Sequence, residues 1–263
     1  MDNQAFTKEL ETHVRPATFP VAIRMLQPGE AAPEKARRPA RDLGIRVAVC
    51  QAIGMGRRYG WTVAVGGDDI NCPLTKTAFG WEKELAYYTA GNCACGLYTE
   101  TLEAGARTET ATDRFPYGMY DRVLIAPCVR AGFPPHLVLV YGNAAQVMRM
   151  VTAALWKRGG ALQASFTGRL DCSDAIIRTI LKDDYQVILP CYGDRVFGQT
   201  GDNEMAFTIP VGKTETFVEG LEGTHRGGIR YPVPTFLRYS PEYPESYKRL
   251  EELWAREKQV PAG

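Results

Sequence analysis

Charge of either sign in excess is missing from this chain. Over 263 residues, 31 Lys and Arg face 30 Asp and Glu, for a formal charge of +1. A surface so balanced lacks the basic field that displaces counterions from nucleic acid, so no nucleic-acid partner is expected. Long apolar runs are missing too. No stretch approaches the roughly 20 apolar residues that span a bilayer, and the first residues lack a basic-then-apolar leader. The expectation is a cytoplasmic protein with no membrane partner. Histidine is scarce, and none of His13, His136 and His225 has the helical i, i+4 partner of a two-histidine metal site. No C-x-x-C pair exists, which excludes a zinc ribbon. No G-x-S-x-G elbow, no G-x-G-x-x-G after a strand and no G-x-x-x-x-G-K-[ST] is found, so hydrolase, dinucleotide and P-loop chemistry lack their motifs.

What is present is an ordinary globular composition, 45% hydrophobic and 23% charged, in a chain long enough to build its core without staples. Residues 3–13 read as a short amphipathic helix and 20–26 as a first strand, followed by a charged, proline-bearing loop over 27–42. Residues 46–59 suit a helix, 61–65 a strand and 66–69 a turn. Cys72-Pro73 opens a helix, with proline in a first turn where its missing N–H costs nothing. Residues 81–120 are helical and loop-rich. Residues 122–126 and 137–141 are apolar enough for central strands. Asn143 caps a helix through Trp156, and 162–166 reads as a strand. Asp171 or Ser173 caps a helix to Lys182, 186–189 is a strand running into a turn at 190–195, and 204–209 is a further strand. Residues 244–258 form a final amphipathic helix with Tyr247, Leu250, Leu253 and Trp254 on one face. Strands alternating with helices predict an α/β fold, a mixed sheet with flanking helices, in a single domain over 1–263.

A candidate internal repeat lays 47–80 over 147–180. Val47/Val147, Arg58/Arg158, Gly60/Gly160 and Cys72/Cys172 are identical at an offset of 100 residues. Two related halves about a pseudo-two-fold would bring Cys72 and Cys172 toward a common site.

Seven cysteines, an odd number, are spread along the chain: Cys50, Cys72, Cys93, Cys95, Cys128, Cys172 and Cys191. A disulfide framework does not suit a reducing cytoplasm. One reading is that they are buried small hydrophobes. The other is that some are thiolate ligands. Cys72 and Cys172 open helices, whose N-termini favour thiolate, and Cys191 lies where a strand meets a turn. Cys50 sits at the start of the first repeat helix. Four such cysteines can converge on a Cys₄ site for a [4Fe–4S] cluster or for Zn²⁺. Cys93 and Cys95 sit in a surface turn at the rim of the same pocket or stay inert, and Cys128 reads as core. Asp68, Asp69, Asp171 and Asp174 flank the repeat cysteines as helix caps or as acid–base groups. Arg195 either grips a carboxylate or pairs structurally with Glu204. Tyr192 and Phe197 either shield a cluster or belong to the core.

At these residues the chain resembles the domain-of-unknown-function 169 family. The stretches that carry the resemblance are PVAIR at 20–24, CQA and its Arg-Gly sequel at 50–60, and NCP with a later FG at 72–80. GNAAQVM at 142–148, DCSDA at 171–175 and LPCYGDR leading into DNEMAFTIP at 189–210 complete it. The resemblance covers about residues 20–210 and implies no settled activity. It implies that Cys50, Cys72, Cys172 and Cys191 occupy family motif positions, whereas Cys93, Cys95 and Cys128 do not. Where family members often carry CYGCR, this chain has Asp194, as a weak oxygen ligand or none. Members are common in anaerobes, which suits an oxygen-sensitive cluster.

The leading expectation is an iron–sulfur redox protein with its cluster on Cys50, Cys72, Cys172 and Cys191, and Tyr192, Asp194 and Arg195 beside it. It would serve a redox partner protein or a small-molecule substrate. A cofactor-free binder of small anions, using the helix starts at Cys72 and Cys172 with Arg195, is the second reading. A thiol enzyme with Cys191 as nucleophile and His136 or His225 as base is the third. Base rates among oligomers suggest a homodimer.

Overall fold

The structure is a computed structural model that describes residues 1–234 and 236–258. The chain divides into two compact units, Met1–Pro232 and Val233–Gly263. The first begins with α1 (Asn3–His13), capped by the Asp2 carboxylate, and β1 (Val21–Leu26). α2 (Pro39–Asp42), α3 (Val49–Tyr59), β2 (Val63–Gly66) and α4 (Pro73–Ala78) follow. Then come α5 (Ala86–Thr89), α6 (Leu102–Ala111), β3 (Arg122–Pro127), β4 (Leu137–Gly142) and α7 (Ala144–Leu155). A π-helical stretch, Ser173–Ile177, runs directly into α8 (Arg178–Lys182). β5 (Gln186–Ile188), α9 (Tyr192–Phe197), β6 (Met205–Pro210) and α10 (Thr214–Arg226) complete the unit. The second unit holds α11 (Glu245–Glu257), in which the expected stripe of Tyr247, Leu250, Leu253 and Trp254 is exposed.

The six strands form one sheet in the order β2-β3-β1-β4-β6-β5, every neighbouring pair antiparallel. The fold is α/β as expected, but the sheet is not mixed. The reason lies in the connections. The crossover from β1 through α3 reaches β2, two positions away, and β3 fills the gap running the other way. β4, β5 and β6 repeat this arrangement, a split βαβ unit.

Period-2 alternation sends side chains to opposite faces, and helices cover both. Val21, Ile23, Val63, Val65, Val123, Ile125, Leu137 and Leu139 pack under α3 and the helix around Cys172. Ala22, Val138, Val140, Phe207 and Ile209 pack under α1, α7 and α10. Burial on both faces explains why these strands read as nearly continuous apolar runs.

Two expectations fail. Residues 162–166 form no strand; they lie between Gly160 and Gly168, both at positive φ, where the chain turns rather than extends. The 100-residue repeat fails with it, because α3 and α7 cover opposite faces. A different correspondence runs through the sheet. Val21 faces Pro127 as Leu137 faces Pro210. Val63 faces Ile125 as Gln186 faces Thr208. At the centre Ala22 faces Val138, with Val21 opposite Leu139 and Ile23 opposite Leu137. β3 and β6 each end in proline and enter a short 3₁₀ turn.

Candidate functional site

Four helix starts meet above one face of the sheet, and each carries a cysteine. Cys50 is the second residue of α3, Cys72 is the N-cap of α4, Cys172 immediately precedes the π-helical stretch, and Cys191 is the N-cap of α9. First-turn N–H groups have no partner within their helix and carry partial positive charge, so these positions favour sulfur as thiolate. The thiols lie within electrostatic reach of one another: Cys72 and Cys191 act on Cys50, and Cys50, Cys72 and Cys191 all act on Cys172. Cys50, Cys172 and Cys191 are buried and Cys72 is half-buried. The Cys50 thiol faces the Gly193 carbonyl at 3.9 Å, and Cys172 Sγ lies 3.7 Å from the Thr75 hydroxyl.

Two carboxyl groups lie near the thiols. Asp194 Oδ2 accepts from the Tyr141 hydroxyl at 3.0 Å and from Thr200 at 2.9 Å, while its Oδ1 is buried without a hydrogen-bond partner. Asp171 stands beside it, and burial first, then the neighbouring Asp194 charge, holds Asp171 well above the ordinary carboxylate range. Burial also raises Asp194, against the pull of Thr200, Asp171 and Tyr141. The thiols follow the same logic. Burial, then Asp171, pushes Cys191 up to about 12, and burial with the Asp171 charge drives Cys172 well up. Burial and the Asp194 charge raise Cys50. Such thiols are protonated and poorly nucleophilic at neutral pH unless a metal displaces the proton.

A buried brace joins α3 to the segment after α9. Arg57, on α3, lies 4.0 Å over the Tyr141 ring and donates to Glu204 at 2.7 and 3.2 Å and to Thr200 at 3.0 Å. Gly54 and Gly198 let α3 and α9 approach. A Cβ on Gly198 would overlap Asp194 Oδ1, and one on Gly54 would stand 3.0 Å from the Gly198 carbonyl. On another side Tyr98 lies near Cys191, Cys72 and Tyr192, and the Arg169 guanidinium sits 5.6 Å over its ring. Arg169 itself pairs with Glu109 in full burial.

The expected site residues are thus placed as follows. The four cysteines lie on neighbouring helix starts within electrostatic reach of one another. Tyr192 is 72% exposed at the rim and Phe197 is also exposed, so neither is core. Asp194 turns its carboxyl toward Tyr141, Thr200 and Asp171. Arg195 is pinned to the Gly201 carbonyl at 2.6 Å and the Glu204 carbonyl at 3.4 Å, so its guanidinium is not free for an anion, and the Glu204 carboxylate belongs to Arg57 and Arg58. Asp68 and Asp69 pair with Arg38 and Arg122 rather than capping α4. His136 accepts from the Met25 N–H, and His225, on α10, stacks edge-on against His13. Neither serves as base to Cys191. Cys128 is core, against the Asn3 carbonyl. Cys95 faces the Glu100 carbonyl within a tight turn. Asp171, expected as a helix cap or acid–base group, is instead buried beside Asp194, and Tyr98, Arg57 and the Arg169–Glu109 pair had no local sequence signal.

Among the described residues no three His, Cys, Asp or Glu side chains gather closely enough to hold a single ion. A tetrahedral Zn²⁺ draws its four sulfurs to about 2.3 Å from one point. A cluster is itself several atoms wide and takes its thiolates from farther apart. Three buried thiols and the half-buried Cys72, each at a helix start, stand too far apart for a lone ion, a spacing that a cluster could still span.

Among curated proteins, an uncharacterised protein of Methanocaldococcus jannaschii, MJ0308, is 28% identical over 121 residues, covering 46% of this chain and 52% of that protein. The alignment thus spans about half the relative's length. No solved structure matches. The profile of DUF169, described as an uncharacterised ArCR, matches residues 9–220, and the chain belongs to this domain-of-unknown-function 169 family.

Proposed function

We propose that Cys50, Cys72, Cys172 and Cys191 hold a [4Fe–4S] cluster and that the protein works in redox chemistry, as an electron carrier or on a small molecule. The observation that carries this reading is the meeting of four thiols at the first turns of four helices. When bound, such a cluster takes up and releases one electron at a potential tuned by its surroundings. This chain's own residues set those surroundings. First-turn N–H dipoles offset the negative charge of the thiolates. Burial of three of the four thiols excludes water, and half-buried Cys72 leaves one side open toward solvent.

The matching registers favour a duplication of the split βαβ unit about an axis between Ala22 and Val138. In that correspondence the counterpart of α3 is the helix that begins beside Cys172, and the counterpart of α4 is α9. Cys50 then corresponds to Cys172, and Cys72 to Cys191. Each half would give one thiol from its crossover helix and one from the helix after its edge strand. Cys50-Gln-Ala-Ile reads against Cys172-Ser-Asp-Ala-Ile with one extra residue, and the π-helical stretch at that point is the form a one-residue insertion takes within a helix. Thiols at equivalent positions in both halves suit a shared ligand on the axis.

The test is single replacement of each cysteine by serine, with iron measured after anaerobic purification. Serine at 50, 72, 172 or 191 should lower bound iron, whereas Cys93→Ser, Cys95→Ser and Cys128→Ser should retain it. Full iron in the Cys72→Ser/Cys172→Ser double variant would overturn the assignment.

A further inference from the structure

A cavity of about 620 Å³ lies against the far side of α4 from the thiols, within the size range, about 300–1,000 Å³, that drug-sized molecules occupy. Its wall is formed by α4, the loop that follows it, α5 and the Cys93 turn. Apolar and aromatic side chains dominate: Leu74, Leu85, Tyr87, Tyr88 and Tyr117. Three of these are left largely in water, Leu85 at 66%, Tyr87 at 65% and Tyr117 at 61% exposure. Large apolar groups gathered at one mouth mark a surface that something covers. The charges are also one-sided. Lys76 and Lys83 stand against Glu82 alone in the lining. Among the described residues neither lysine has a carboxylate partner, and Lys83 lies only over the Tyr117 ring, 5.5 Å from its centre.

The cavity is also wired to the thiol site. The buried Tyr88 side chain lies beside Glu109, Glu109 pairs with Arg169, and Arg169 lies over Tyr98, which borders Cys72 and Cys191. Arg169 also donates to the Cys93 carbonyl at 3.1 Å. Buried polar chains of this kind fix the shape of what they line. The wall residues Pro73 and Leu74 directly follow Cys72 in the chain.

We propose that this cavity binds a flat, largely apolar molecule bearing a single carboxylate, an aryl or arylalkyl acid. The ring would cover Leu74, Leu85 and Tyr117, and the carboxylate would be taken by Lys76 and Lys83. One carboxylate suits two ammonium groups already opposed by one glutamate. A neutral body of the same shape leaves both ammonium groups without a partner, and a small acid such as acetate leaves the apolar wall in water. The inference goes beyond the cluster reading and stands without it.

The experiment is calorimetric titration of the full-length protein, as purified, with 2-naphthoate, against 2-naphthylmethanol and acetate as controls. Saturable binding of one 2-naphthoate per chain is expected, with each control weaker by about tenfold or more. Lys76→Ala/Lys83→Ala should weaken 2-naphthoate by about tenfold, and Tyr117→Ala should weaken it too; Lys83 and Tyr117 are exposed and Lys76 is half-buried with no carboxylate partner among the described residues, so truncation should leave the fold intact, as urea unfolding of each variant would check. No saturable binding at millimolar concentrations, or binding that the lysine variant leaves unchanged, would overturn the assignment. Equal affinity for 2-naphthylmethanol would overturn the acid. Iron is determined separately on the same sample, so loss of the cluster reading and loss of this one remain distinguishable.

Discussion

Replacing Arg57 by leucine should be among the costliest single changes in the molecule. Its side chain is fully buried. The change removes a two-pronged pair with Glu204, a bond to Thr200, a bond to the Gln199 carbonyl at 3.1 Å and the contact over the Tyr141 ring. Removing one partner of a buried pair costs about 3–5 kcal/mol, because the other charge is left without compensation. Glu204 keeps Arg58 at 3.1 Å and retains 16% exposure, which argues for the lower end, about 3 kcal/mol. With an unfolding slope of about 2 kcal/mol per molar urea, the midpoint should fall by roughly 1.5 M. Glu204→Leu alone should also destabilise, but the double variant should be less damaged than the two losses added, with a coupling of about 1–3 kcal/mol. Because Arg57 ties α3 to the segment after α9, Arg57→Leu should also lower retained iron. A loss under about 1 kcal/mol, or strict additivity, would refute the view that this pair braces the helices of Cys50 and Cys191.

Gly198→Ala should shift Asp194 or open α9, since the new Cβ meets Asp194 Oδ1 and, at 2.8 Å, the Asp194 carbonyl; a loss of about 2 kcal/mol or more in urea unfolding is expected. Gly220→Ala should cost about as much, because a Cβ there would overlap the Ala153 carbonyl where α10 crosses α7, whereas Gly29→Ala meets no neighbour and differs only through its positive φ. His136 accepts from the Met25 N–H at 3.2 Å, and burial, then Arg24, lowers its pKa below 6.5. The unfolded chain therefore takes up this proton first, so the contribution of His136 to stability is intact above pH 6.5 and is lost as pH falls through the folded value. His136→Asn should flatten the fall in unfolding free energy between about pH 7 and 5, and an unchanged slope would show that this imidazole does not titrate differently on folding.

The central strands were legible because burial on both faces makes them nearly continuous apolar runs, as in residues 123–127 and 137–142. The start of α7 was legible because Asn143 and Gln146 form a capping box. α10 was not, since Gly220 and Gly223 read as chain breakers. They are the positions where α10 comes into backbone contact with α7 and with Trp156. α9 is too short to show a period, and Gly193 disguises it further. Cys50, Cys72 and Cys172 could be picked out because each lies at a helix start, and Cys191 because it follows a strand. The pairing proposed for them could not, because it rests on strand register rather than on a fixed offset along the chain. Asp171 and Asp194 are brought together only by tertiary folding, and no pattern local to either residue foretells a shared burial. The false strand at 162–166 shows the converse: alternation alone does not make a strand where the residues pair with none of the six.

The most direct measurement is iron and acid-labile sulfide per chain in protein purified without oxygen. The account predicts about four of each, lost together when serine replaces Cys72 and Cys172. Protein that holds neither after anaerobic reconstitution, with its fold intact, would contradict it and leave the four cysteines as free thiols.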